Sequence, residues 1–172
     1  MRRETRAEDP RSAIDEALAS NGGYAAAFSA GAVQPRPRKG LAVVACMDAR
    51  LDVHGLLGLQ LGDAHVIRNA GGVVTQDVVR SLVVSQWRLG TREIALIHHT
   101  DCGQLGFRDA DLKREIEQET GHRPRFALQA FADLDVAVRR SLRRLHASPF
   151  VDATRTRGFV YDVTTGRLRE VR

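Results

Sequence analysis

Lysine is scarce in this chain of 172 residues. Lys39 and Lys113 are its only lysines, so the net charge of +5 comes from arginine. Acidic residues are interspersed among the arginines, and such a mixed surface argues only weakly for nucleic-acid binding. The densest basic run, Arg139–Arg144, lies beside apolar positions of a predicted helix, which favours a solvated helix face over the alternative, a phosphate-binding surface. We therefore expect no nucleic acid as a partner.

Long apolar runs are also missing. No stretch reaches the roughly 20 apolar residues of a membrane span, and no apolar signal segment follows Met1-Arg2-Arg3-Glu4. We therefore expect a cytoplasmic protein with no membrane partner. The sequence has no internal repeat either, and its length fits one domain.

Short apolar runs alternate with amphipathic segments along the chain, a pattern typical of parallel α/β folds. Strands are predicted at 41–46, 64–68 and 93–98, and helices at 52–59, 75–89, 111–120 and 133–146. Two further strands, 158–163 and 167–171, flank a Thr164-Thr165-Gly166 turn. The predicted fold class is α/β, with a central mostly parallel β-sheet flanked by helices and a C-terminal antiparallel hairpin.

The first 40 residues form a predicted N-terminal helical arm and linker. Residues 1–10 are charged and predicted to be mobile, whereas 12–28 has helical spacing of its apolar positions. Prolines make 34–38 an extended linker. The α/β domain then occupies 41–172, in a chain that is a single domain overall.

The only cysteines are Cys46, which ends the first predicted strand, and Cys102, which lies just past the third, and His99 stands three residues before the second cysteine. Two thiolates and an imidazole are ligands that suit zinc. Three ligands are one short of a closed structural site, so the count favours one catalytic zinc per chain. The alternatives are a buried thiol pair or a disulfide, and a reducing cytosol argues against the disulfide.

Cys46-x-Asp48-x-Arg50 together with His99-x-x-Cys102 resembles the signature of the β-carbonic anhydrases. The similarity runs from about residue 23 to 171, and its flanks resemble a short bacterial subgroup: 45–53, 66–72 and 98–103. The resemblance implies the β-carbonic anhydrase fold, with Cys46, His99 and Cys102 as zinc ligands. It also implies a lyase, a carbonate dehydratase that reversibly hydrates CO2 to bicarbonate and a proton by means of zinc-bound hydroxide.

The same resemblance implies catalytic roles for Asp48 and Arg50. In one family state the aspartate accepts a hydrogen bond from zinc-bound water and pairs with the arginine; in a closed state it becomes the fourth zinc ligand. A bidentate pair with Arg50 holds the carboxylate off the metal and keeps it ionised. If the chain stays extended here, Cys46, Asp48 and Arg50 share one side. An ordinary surface ion pair is the alternative.

Positions around the two motifs carry weaker predictions. The backbone of Asn69, Gly71, Gly72 and Gly103 is predicted to approach a small anion such as bicarbonate, and a plain tight turn is the alternative for the double glycine. His98 is interpreted as a hydrogen-bonded core histidine or as a contact of the ligand residues. Gln104 and Gly106, just after the second motif, are predicted to tune the size of the pocket.

Two other functions are compatible with the same residues. Hydrolysis of carbonyl sulfide or carbon disulfide needs the same zinc chemistry and a small apolar pocket, so the motifs do not separate it from CO2 hydration. The third interpretation is a non-catalytic bicarbonate-sensing zinc module. Asp48 and Arg50 argue against that module, because a purely structural zinc does not need such a pair.

The resemblance further implies a homodimer or a dimer-based oligomer whose pocket lies at the subunit interface. The sequence points the same way, because the arm at 12–28 needs a surface against which to bury its apolar residues. The terminal hairpin also leaves a sheet edge that must be paired or protected, and two-fold pairing is the commonest symmetry of soluble homo-oligomers.

Overall fold

The computed structural model describes residues 12–29, 31 and 33–172, so the segment 1–10 that was predicted to be mobile lies outside the described residues. The chain divides into two compact units, Met1–Val33 and Gln34–Arg172. Within the described ranges, no helix is long and apolar enough to cross a membrane.

Among its described residues the first unit contains one helix, α1 (Ala13–Ala26), which begins with a capping box. The Ser12 hydroxyl accepts the Asp15 backbone N–H at 3.1 Å, and the Asp15 carboxylate accepts the Ser12 backbone N–H at 3.3 Å. Ile14 and Leu18 are 72% and 67% exposed, and no residue of α1 is buried. The helix predicted at 12–28 is therefore present, with its apolar side chains exposed.

The second unit is an α/β layer structure. Its elements in chain order are β1 (Leu41–Cys46), α2 (Val53–Leu57), β2 (Ala64–Asn69), a short 3-10 turn (Ala70–Gly72), α3 (Gln76–Trp87), β3 (Glu93–His99), α4 (Asp109–Thr120), α5 (Leu134–His146), β4 (Thr156–Tyr161) and β5 (Leu168–Val171). The sheet order is β2-β1-β3-β4-β5, and only the β4–β5 pair is antiparallel. The predicted fold class, a mostly parallel sheet with a C-terminal hairpin, is confirmed.

The central strands are buried on both faces. On one face Val44 and Leu96 pack with Leu82 of α3 and with α5; on the other, Val43 and Ile97 pack with a second apolar cluster. Each fully buried side chain of this size contributes about 1.5–3 kcal/mol. Burial on both faces explains why the sequence of β1 is an uninterrupted apolar run.

Strands β1 and β3 place their last residues at one edge of the sheet. They run parallel in a register that pairs Ala45 with Ile97, so Cys46 and His99 emerge together. Ligands of open α/β sheets bind beyond this carboxyl edge. The sequence-based prediction ended β3 at His98, one residue early.

Gly72 lies where the chain after β2 approaches β1 and β3 most closely. Its φ is +64°, and an added Cβ would lie 2.8 Å from the Cys46 backbone nitrogen and 2.9 Å from the Ile97 carbonyl oxygen. We predict that Gly72→Ala lowers the free energy of unfolding by more than about 3 kcal/mol, because strain and backbone overlap act together.

Gly166 is the matched control, because its φ is +73° but no heavy atom lies within 4 Å of an added Cβ. Gly166→Ala should cost only about 1–2 kcal/mol, the penalty of the left-handed backbone alone. Denaturant titration of both variants measures the difference. Equal losses of stability would contradict the close approach at Gly72.

Candidate metal centre

Three buried donor atoms converge at the carboxyl edge of the sheet. The ligand atoms of Cys46, His99 and Cys102 all lie within 4.8 Å of one another. The two sulfurs are 3.9 Å apart and belong to free thiols, close to the roughly 3.8 Å that separates two thiolates on a tetrahedral zinc. The donor set therefore fits zinc, and the disulfide alternative is wrong.

His99 is held in the tautomer that a metal requires. Its Nδ1 lies 2.8 Å from the Thr100 carbonyl oxygen, and because a carbonyl only accepts, Nδ1 donates the proton. Its Nε2 is buried without a hydrogen-bond partner among the described residues. A buried ring nitrogen beside two thiols, on a ring whose other nitrogen already makes its supporting hydrogen bond, is a ligand position.

The two thiols share their protons unequally. The hydrogen bond from Cys102 lowers the pKa of Cys46, against the effect of burial, and His99 and the backbone N–H groups of Asp48 and Gly71 lower it further. The same sulfur–sulfur bond, together with burial, raises the pKa of Cys102. One thiolate is therefore preformed, and binding of a cation releases the other proton.

Asp48 and Arg50 form a bidentate ion pair beside these ligands. The guanidinium Nε donates to Asp48 Oδ1 at 2.9 Å, and Nη2 donates to Oδ2 at 2.8 Å. The chain does not stay extended through this motif as predicted. It turns, because the Leu51 N–H bonds the Asp48 carbonyl at 3.1 Å, and the turn brings the two side chains together.

The ion pair keeps the Asp48 carboxylate ionised. The Arg50 side chain, helped by the Arg50 backbone N–H, holds the pKa of Asp48 well below its usual range, although burial opposes this. The Asp48 side chain is only 17% exposed, and its Oδ2 lies 3.8 Å from His99 Nε2. It is therefore an acceptor next to the metal position and not an ordinary surface charge.

Asp101 and Arg68, for which the sequence predicted no role, hold this motif in place. Asp101 accepts from Arg50 Nη1 at 2.7 Å through its carboxylate and from Nη2 at 2.8 Å through its carbonyl. Its φ of +52° is unusual for a residue with a Cβ. Arg68 donates to the carbonyl oxygens of Cys46 and Asp48 at 2.9 and 2.6 Å. Arg68 and Asp101 are charged residues within the segments 66–72 and 98–103 that resemble the family, and this was the sequence feature that could have identified them.

A cavity of about 190 Å³ opens beside the ligands. It is lined by Cys46, Met47, Asp48, Ala70, Gly71, Cys102, Gly103 and Gln104. Of the predicted anion-binding residues, Gly71 and Gly103 are in this lining. Asn69 instead donates its side-chain amide to the Val73 carbonyl at 2.8 Å, and Gly72 packs behind the wall. A larger cavity of about 600 Å³, near the start of β3, contains none of the ligands.

A loop that α4 anchors lies behind this lining, against Gly71 and Gln104. The Asp109 carboxylate accepts the backbone N–H groups of Leu128, Gln129 and Ala130 at 2.8, 3.0 and 2.9 Å. Phe131 follows, and its N–H donates to the Gln104 carbonyl at 3.1 Å. These contacts bridge about twenty residues of sequence, and no local motif predicts them.

His98 departs from the sequence-based interpretation. It is fully buried, its ring lies 5.5 Å from that of Phe131, and neither ring nitrogen has a hydrogen-bond partner among the described residues. The prediction of a hydrogen-bonded core histidine is therefore wrong. Burial lowers the pKa of His98 to about 4, so the ring is neutral.

Comparison with known proteins points to one family. Residues 41–125 match the family model described as carbonic anhydrase. Beta-carbonic anhydrase 1 of Mycobacterium tuberculosis is 56% identical over 158 residues, covering 91% of this chain and 96% of that protein. Carbonic anhydrase from Streptococcus mutans superposes with a TM-score of 0.89 at 40% identity, covering 94% and 99% of the two chains. A carbon disulfide hydrolase of Acidithiobacillus thiooxidans is 33% identical over 148 residues, 74% of each chain.

Proposed function

This chain belongs to the β-carbonic anhydrase family, and from that premise we propose how its own residues carry out the reaction. The protein is a lyase that catalyses the hydration of CO2 to bicarbonate. The observation that carries the mechanism is the convergence of three buried donors beside an ionised carboxylate that Arg50 holds in place.

Cys46, His99 and Cys102 would hold one zinc ion per chain. Zinc is the ion proposed because two thiolates and one imidazole suit it and leave a fourth position open. When bound, zinc supplies a Lewis acid that lowers the pKa of a water molecule and so provides the nucleophile for CO2. The protein presents Cys46 as a thiolate and His99 with its Nδ1 proton on the Thr100 carbonyl, and Cys102 loses its proton when the metal binds.

Asp48 is proposed to act as the acceptor that orients the nucleophile. Its carboxylate is ionised, lies beside the ligands and is fixed by two guanidinium bonds. Arg50 is the positioning residue, because its Nη1 is tied to Asp101 and it therefore moves little. In this arrangement Arg50 competes with the metal for Asp48 and keeps the carboxylate from becoming a fourth ligand.

The glycines supply the floor of the substrate site. We place bicarbonate against Gly71 and Gly103, which line the cavity, with Gly72 and Asn69 as residues that shape the turn behind it. A Cβ at Gly71 would lie 3.0 Å from the Gln104 side chain, so the absence of that atom keeps the space open.

Zinc dependence is the test of this proposal. Protein treated with a chelator should lose CO2 hydration in a stopped-flow assay, and one equivalent of zinc per chain should restore it. Restoration by Mg²⁺, which prefers oxygen ligands, or full activity without a metal would contradict the assignment.

Hydrolysis of carbonyl sulfide or carbon disulfide is not favoured. The relative named as a carbonic anhydrase is 56% identical over nearly the whole of both chains, whereas the relative named as a carbon disulfide hydrolase is 33% identical over 74% of each.

The enzyme is further proposed to form a homodimer or a dimer-based oligomer. Ile14 and Leu18 of α1 are exposed apolar side chains, and Met47, which lines the cavity, is 65% exposed. A partner subunit that covers such surfaces would also complete the wall of the pocket. Assembly and catalysis would then be coupled.

Replacing both Ile14 and Leu18 with serine should weaken the dimer and lower CO2 hydration together, although the zinc content stays at one per chain. Glu16→Ser on the same helix is the control and should change neither. Sedimentation velocity at assay concentrations measures the assembly. A fully active monomer would contradict the proposed coupling.

A cytoplasmic location is proposed on chemical grounds. Both cysteines are free thiols, and they bind metal only while reduced, which the cytosol favours. Fractionation of cells that express the chain tests this location, and recovery in an oxidising compartment would contradict it.

A further inference from the structure

A cavity of about 600 Å³ lies at the edge of the sheet opposite the metal centre, and the reaction does not use it. Its lining consists of Arg36, residues 86–87 at the end of α3, residues 90–92 before β3, and residues 149–152 before β4. Strand β3 therefore starts beside this cavity and ends at His99, a proposed zinc ligand. The volume is within the range of about 300–1,000 Å³ that is typical of ligand-binding cavities.

Side-chain hydrogen bonds hold two walls of this cavity together. The Gln86 amide nitrogen donates to the Asp152 carbonyl at 2.8 Å, and Gln86 Oε1 accepts the Asp152 backbone N–H at 3.0 Å. Trp87 Nε1 donates to the Phe150 carbonyl at 3.0 Å. The end of α3 and the segment before β4 are thus fixed against each other, and a preformed cavity loses little conformational entropy when a ligand binds.

Two aromatic side chains of the lining are uncovered. Trp87 is 75% exposed and Phe150 is 62% exposed. The hydrogen bond from Nε1 holds the Trp87 indole by its edge, so most of the ring surface stays exposed. Flat aromatic ligands stack on rings of this kind.

The cavity also has an excess of positive charge. Arg36 and Arg92 belong to its lining, and neither guanidinium is in an ion pair with a described residue. The Arg36 guanidinium lies against Gly90, because a Cβ added there would be 2.7 Å from its Nε and 2.8 Å from its Cζ. Among the described residues that line the cavity, Asp152 alone has a carboxylate, and its Oδ1 already accepts the N–H and O–H of Thr154.

We propose that this cavity is a second ligand site, which binds a small aromatic anion, that is, a flat ring that bears a carboxylate or phosphate group. The ring stacks on Trp87 and Phe150, and the anionic group pairs with Arg36 and Arg92. Guanidinium groups bind carboxylates and phosphates through paired hydrogen bonds, and these two have no ion pair within the described residues to give up. The site shares no residue with the metal centre and is independent of the proposed function.

Titration of the zinc-loaded protein with benzoate and with adenosine 5′-monophosphate tests the proposal. Trp87 is the only tryptophan of the chain, so tryptophan fluorescence reports this cavity directly. At least one of the two ligands should change the fluorescence saturably with a Kd below about 1 mM, and the comparison shows whether a carboxylate or a nucleotide is preferred. Acetate and inorganic phosphate have the charge without the ring and should bind at least about tenfold more weakly.

Variants of the lining separate specific from general charge effects. Arg36→Gln and Arg92→Gln should each raise the Kd about tenfold or more, because each removes hydrogen bonds between charged groups. Arg88→Gln is the matched control and should leave the Kd unchanged, since Arg88 is an exposed neighbour of Trp87 outside the lining. Trp87→Leu removes a stacking ring and should weaken binding by a similar factor in isothermal titration calorimetry.

Two results would overturn the inference. One is the absence of a saturable fluorescence change with both aromatic anions in the unaltered protein, a measurement that depends on no variant. The other is a Kd that stays the same in both arginine variants of the lining as in Arg88→Gln.

Discussion

Replacing Cys46 or Cys102 with serine should remove zinc from the purified protein and lower CO2 hydration by more than about 100-fold. Loss of a residue that merely supports a ligand already costs 10–100-fold in affinity or activity, and a serine hydroxyl does not replace a thiolate as a zinc ligand. His99→Ala should have the same effect, because its Nε2 is the third donor.

His54→Ala is the control for the histidine variant, because His54 is exposed on α2. It should keep one zinc per chain and full activity. Metal analysis of the purified proteins, set beside their stopped-flow rates, measures both properties. Stoichiometric zinc in both cysteine variants would show that the ligands are misassigned.

Disrupting the Asp48–Arg50 pair should separate metal binding from catalysis. Asp48→Asn should keep one zinc per chain but lose about 100-fold or more in kcat, the usual size of a general acid–base contribution. Arg50→Ala should also lose activity, because the carboxylate is then free to approach the metal and displace water.

A surface ion pair provides the matched control for both changes. Asp77 and Arg80 are joined at 2.8 Å with both side chains about 70% exposed, so Asp77→Asn and Arg80→Ala should leave the CO2 hydration rate unchanged. If Asp48→Asn and Arg50→Ala hydrate CO2 near the unaltered rate, the proposed roles of the pair are wrong.

Much of the fold could be predicted because a strand that is buried on both faces has an almost entirely apolar sequence. Residues 41–46 are almost all apolar, as a strand covered on both faces must be, and the structure places β1 at those residues. The ends of β1 and β3 then bring Cys46 and His99 to one edge of the sheet. This is why two motifs far apart in sequence predicted a single metal centre.

Features that depend on contacts between distant residues were not predictable in the same way. The Asp109 carboxylate fixes a loop about twenty residues away, and Asp101 adopts a left-handed backbone to reach Arg50. The turn after Asp48 was missed because strand alternation was extended beyond the end of β1. The unpaired state of His98 has no sequence signature, since pairing is set by neighbours from other elements.

The most direct test of the central claim compares two substrates on one sample of zinc-loaded protein. CO2 hydration is followed by stopped flow, and hydrolysis of carbonyl sulfide or carbon disulfide is measured at the same protein and substrate concentrations. We predict that kcat/KM for CO2 is the larger by at least about 100-fold, a difference of about 2.8 kcal/mol. Faster turnover of either sulfur compound than of CO2 would contradict it.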